Sequence, residues 1–125
     1  MRNGSSPRIS TGAGLTLLEL LVVVAVLGIL AAVAFQQFSL YRSRVVDTAM
    51  RSDLKNAALA MESYYAEFLQ YPTSLNAIQL VGFRKTSGVT LAITVPSPAT
   101  FTLTASMPNG TKPSFTFDST TGLIN

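Results

Sequence analysis

Glu19, Asp47, Asp53, Glu62, Glu67 and Asp118 are the six acids of this 125-residue chain, and neither histidine nor cysteine accompanies them. Without imidazole the chain lacks the usual general base, the usual metal ligand and every catalytic triad built on histidine. Without thiols it has no disulfide framework, no thiolate metal site and no thiol chemistry. The carboxylates do not share the tight spacing of a calcium loop. Asp118 and Gly122 in FDSTTGLIN lack the neighbouring acids such a loop needs and read as a tight turn. The residue types therefore point to no enzyme, no metal and no cofactor.

One acid is misplaced by ordinary rules. Glu19 is the lone charge in GAGLTLLELLVVVAVLGILAAVAF, which runs from Gly12 to Phe35. A carboxylate at the centre of a bilayer costs about 2.5–3.5 kcal/mol on insertion scales, and less near the interface. Its position near the start of the run also suits a helix N-terminus, where the backbone dipole favours negative charge.

The elements that position this residue follow from composition and period. Hydrophobic residues make up 48% and charged residues 12% of the chain, and its mean hydropathy of +0.39 points towards a membrane. The net charge of +3 comes without a Lys/Arg cluster, so no nucleic-acid footprint is present. From Leu15 to Phe35 the apolar run is long enough to span a hydrocarbon core as a helix, which satisfies its own backbone groups in lipid. A cleaved secretory signal is the competing reading, with Ala32 and Ala34 as a loose cleavage site. The run is too long for one, and no turn signal follows it.

Beyond Ser39 the pattern becomes amphipathic. Val46, Met50, Leu54, Ala57, Ala58, Met61, Tyr65 and Phe68 recur at three- and four-residue spacings and predict one apolar stripe. The expected helix runs from Leu15 to about Leu69, about 80 Å at the standard rise, and Pro72 stops it. A connecting loop over 73–87 carries a short helix near Leu75–Leu80. The last third alternates with period two. Val89, Leu91, Ile93 and Val95, then Phe101, Leu103, Ala105 and Met107, then Phe115 and Phe117 each predict one buried strand face opposite threonines. PSP and PNGTKP separate them, with Asn109-Gly110 a turn signal and NGT also an N-glycosylation sequon. A short fourth strand is expected near Leu123.

The stretch G-LTLLELLVVVAVLGILAAVAFQQFSLYR resembles the N-terminus of type IV pilins and pseudopilins, densely over residues 14–42. Gly14, Leu15, Thr16, Leu17 and Glu19 fall in that pattern in register, and Gly28 with ILAA follows it. The resemblance implies a pilin fold: α+β, a long N-terminal helix with a transmembrane half and an amphipathic half, packed against a small antiparallel sheet. It divides the chain into a leader (1–14), a filament-core helix (15–38) and a globular head (39–125). It implies cleavage after Gly14 by a prepilin peptidase, with Gly12 the alternative cut, and N-methylation of Leu15. Glu19 would then meet the free amine of Leu15 on a neighbouring subunit and set registry, and Leu20, Val24, Leu27, Gly28 and Ala31 would pack in the filament core.

The pattern is departed from in places. Leu15 stands where relatives carry Phe, the leader has no basic residue beside Gly14, and Gln36 replaces a helix-kinking Pro. A more continuous helix is expected for that last reason. Arg42 and Arg44 beyond the span balance Arg2 and Arg8 before it, so charge alone does not orient the chain.

The expected function is that of a structural pilus subunit, a homo-oligomeric filament used for motility, adhesion or DNA uptake. The implied partners are the prepilin peptidase and an inner-membrane assembly platform with its ATPase. The implied locations are the inner membrane and then the cell surface. A pseudopilin or minor pilin of a secretion or competence filament is the alternative within the family. A membrane-anchored binding domain that never polymerises is the alternative outside it.

Overall fold

The computed structural model describes residues 1, 3, 4 and 14–125. Arg2, Arg8 and Gly12 of the expected leader lie outside the described residues.

The chain divides into two compact units, Met1–Gln36 and Gln37–Asn125. Helix α1, Leu17–Phe68, contributes to both and is uninterrupted at Gly28 and Gln36. No proline falls within it, so every interior N–H is available to the helical ladder. In the first unit the helix has no buried residue, and it carries a segment long and apolar enough to cross a membrane.

The second unit is the head. Met50, Leu54, Ala57 and Met61 of α1 are fully buried, at the three- and four-residue spacing that places them on one face. Tyr65 and Phe68, expected on the same stripe, are instead 36% and 49% exposed. They form aromatic pairs at the helix end, Tyr65 with Tyr71 and Tyr64 with Phe68. Leu69, just past the helix, caps it: its N–H donates to the Tyr65 carbonyl at 2.8 Å and its φ is 56°. That left-handed cap normally takes Gly or Asn.

Helix α2, Leu75–Leu80, sits where the loop was expected to be helical. Ser74 caps its start through Oγ. Gly82 (φ 96°) closes its end, with its N–H on Gln79 O and the Phe83 N–H on Ile78 O. This is the double-bonded glycine cap, and Ile78 and Phe83 are buried with it.

The sheet is an antiparallel meander in the order β1-β2-β3-β4: Thr90–Ser97, Thr100–Ser106, Ser114–Asp118 and the short Leu123–Ile124. Leu91, Phe101, Leu103, Ala105 and Phe115 turn inward and share one core with the α1 stripe, Ile78, Phe83 and Val89. Burying each large apolar side chain contributes about 1.5–3 kcal/mol. β1 runs two residues past Val95, through Pro96 and Ser97, by a register shift between Thr94 and Ser97. A proline is tolerated there because β1 is an edge strand and the ladder is already irregular.

Candidate assembly site

The chain enters α1 through Thr16 and Glu19. The Glu19 N–H donates to Thr16 Oγ1 at 3.1 Å. Glu19 Oε2 accepts from the Thr16 N–H at 2.8 Å and from the Thr16 hydroxyl at 3.1 Å. This is a reciprocal capping box, formed because Thr-x-x-Glu precedes the first helical turn and satisfies donors that the helix leaves orphaned. The sequence reading credited Glu19 with a dipole effect but missed the box, although TLLE has the required spacing.

The other residues singled out in the sequence line the same helix. Leu15 precedes Thr16 and is 82% exposed, and its nitrogen is a peptide amide in this chain. Leu20, Val24 and Leu27 are 53–60% exposed. Gly28 and Ala31 are exposed as well, and a Cβ added at Gly28 would meet nothing within 4 Å. Every Leu, Val and Ile from Leu15 to Val33 is at least 49% exposed. In water each would forfeit about 1.5–3 kcal/mol of burial. Such a surface needs either lipid or other apolar helices to cover it.

The head holds its acids differently. Asp53, only 2% exposed, accepts from the Thr86 N–H at 2.7 Å and from its hydroxyl at 2.8 Å. Asp47 does the same with Thr111, at 2.8 Å from the N–H and with a short contact to the hydroxyl. Thr111 belongs to the NGT triplet, where Asn109 takes a left-handed conformation (φ 69°). Asp118 accepts from the Thr120 hydroxyl and N–H, which holds its carboxyl below the ordinary value of 3.8. Among the described residues no group of three or more acids could hold a metal ion, and the bonds of Asp47, Asp53 and Asp118 each tie down a loop threonine.

Comparison with known proteins adds independent observations. Residues 10–35 match the family described as the prokaryotic N-terminal methylation motif. The chain is 32% identical over 99 residues to the type IV wide pilus major component PilA4 of Thermus thermophilus, covering 78% of this chain and 76% of that protein. It is 37% identical over 65 residues to the type IV major pilin protein PilA of Myxococcus xanthus, covering 52% of this chain and 30% of that protein. It is 33% identical over 67 residues to the type II secretion system core protein G of Pseudomonas aeruginosa, covering 54% of this chain and 47% of that protein.

Proposed function

Because the chain belongs to the type IV pilin family, we propose that it is the structural subunit of a type IV pilus and acts by assembly rather than by catalysis. The observation that carries this is the wholly exposed apolar half of α1, headed by a single carboxylate. In the precursor that half lies in the inner membrane. Trimming after Gly14 by a prepilin peptidase exposes the Leu15 amine, which is then methylated. Extraction by an ATP-driven platform moves the helix from lipid into a bundle of identical helices. There Leu20, Val24, Leu27, Gly28 and Ala31 pack against neighbours.

Glu19 has two tasks in this scheme. Its Oε2 caps its own helix, and its charge meets the Leu15 amine of a neighbour. An unpaired charge inside an apolar bundle is expensive, so the pair admits one register. The mature chain keeps seven basic residues (9 − 2, after loss of Arg2 and Arg8) and six acids. Its formal charge of +1 leaves little repulsion between copies.

Two substitutions separate the tasks. Glu19→Ala removes both cap and charge. Glu19→Gln keeps a capping side chain at the same helix position but cannot pair with an amine. Both variants are expected to insert in the membrane and to yield no filaments. Filaments of Glu19→Gln equal in yield to wild type would leave capping as the only role of this residue. Mass spectrometry of sheared filaments is expected to find a methylated N-terminus at Leu15.

The similarity to the type II secretion core protein favours a pseudopilin as the second reading. The greater coverage of the pilus component favours the first. Recovery of this chain as the bulk component of sheared surface fibres decides for the pilus.

A further inference from the structure

Leu69 is an anomaly in the head. It follows α1 with φ of 56°, where Gly or Asn is the usual residue, and is 79% exposed. Phe68 before it is 49% exposed, and Glu67 is exposed beside them. Its N–H caps α1 on the Tyr65 carbonyl, but its exposed side chain does nothing to offset the cost of a left-handed backbone.

The same head carries a surface of opposite character. An open groove of about 380 Å³ is floored by Ala58, Leu59 and Phe117 over the buried Phe101, with Lys55 on its rim. Leu59 is 68% exposed there. Glu62 also borders the groove, and its Oε1 accepts from the Tyr71 hydroxyl at 3.1 Å. The groove is therefore apolar below, with the cation Lys55 and the Tyr71-bonded Glu62 on its rim, while the Phe68–Leu69 knob is apolar with the anion Glu67 at its edge.

We propose that knob and groove are the two halves of one contact between copies of this chain, a partner assignment that rests on the filament reading above. Phe68 and Leu69 of one copy seat over Leu59 and Phe117 of the next, and Glu67 of the first meets Lys55 of the second. The two surfaces differ, so the contact is head-to-tail, the kind that builds an open helical assembly when its rotation does not close a ring. The separation of Leu59 from Leu69 corresponds to about 15 Å at the helical rise. A stagger of that order between neighbours brings knob and groove level. Leaving an exposed, strained leucine on each free subunit is then explained by its burial in the assembly.

The test uses filaments of the full chain. Leu69→Gly removes the knob and relieves the left-handed backbone. It is expected to lower sheared filament yield at least tenfold, while the head melts no lower than wild type. Lys55→Glu and Glu67→Lys are each expected to reduce yield, and the double exchange to restore it to within twofold of wild type. Because the chain has no native cysteine, L59C and L69C in one chain should give an oxidative cross-linked ladder in filaments that neither single variant gives. Wild-type filaments alongside indifferent variants, an unrepaired double exchange, or no ladder overturn this contact and leave the filament reading standing. A wild-type chain that never assembles overturns both.

Discussion

Glu19, Asp47, Asp53 and Asp118 each accept from both the backbone N–H and the hydroxyl of one threonine. The donors are neutral, so each clasp satisfies the carboxylate without adding a cation to the site. Asp53 matters most to stability because it is buried and hydrogen bonds to a charged acceptor are the stronger kind. Asp53→Ala is expected to cost about 3 kcal/mol in urea unfolding of the head, and Thr86→Ala about 1 kcal/mol, since the latter keeps the backbone donor. Asp118 predicts a pH effect. The Thr120 hydroxyl first, and its N–H second, depress the folded pKa below 3.8. The stabilisation is therefore fully present above about pH 4 and is lost as pH falls through the lower folded value. Melting temperatures measured from pH 5 downward are expected to fall less steeply in Asp118→Asn than in wild type. Equal slopes would remove the clasp from the acid response.

At the scale of elements, α1 is the decisive one. Its valines are weak helix formers in water, yet in lipid a helix is the form that satisfies the backbone. Gln36 leaves that ladder intact, where a proline would delete a bond and clash with the preceding turn at a cost of about 3 kcal/mol. Gln36→Pro is expected to break the run of helical backbone chemical shifts around residue 36 in detergent micelles, whereas wild type shows an unbroken series. A non-helical gap in wild type would contradict the continuous α1. The sheet is held by alternation, with inward Leu91, Phe101, Leu103, Ala105 and Phe115 and polar neighbours outward. Slipping one strand by a single residue would expose that set, which is why the register is strongly specified.

On the whole-molecule scale, the buried core lies entirely between Met50 and Phe115, within the second unit. The first unit has described residues that are all exposed. A chain starting at Gln37 is therefore expected to fold cooperatively without detergent and to be monomeric when dilute, the single head contact proposed above being held by the filament core, while the full chain requires detergent. Sedimentation and thermal melting of both forms check this, and a shorter form that fails to melt cooperatively would show that the core needs the first unit.

Features that depend only on neighbours along the chain were legible before any folding. Apolar length set the membrane-compatible helix, a three-and-four spacing set the stripe through Met50, Leu54, Ala57 and Met61, and period-two alternation set the strand faces. Each is a repeat legible within a short window, because helix and strand present side chains at fixed periods. The capping box was equally legible in TLLE. Tertiary structure alone decided the rest. Asp53 meets Thr86 across 33 residues and Asp47 meets Thr111 across 64, and no local pattern marks either pair. The surroundings of Tyr65 are likewise tertiary, since Tyr71 stacks on it and packs in turn against Phe101 of β2. Such contacts arise only when chain closure brings distant segments together, and the free energy that selects them comes from the core they surround.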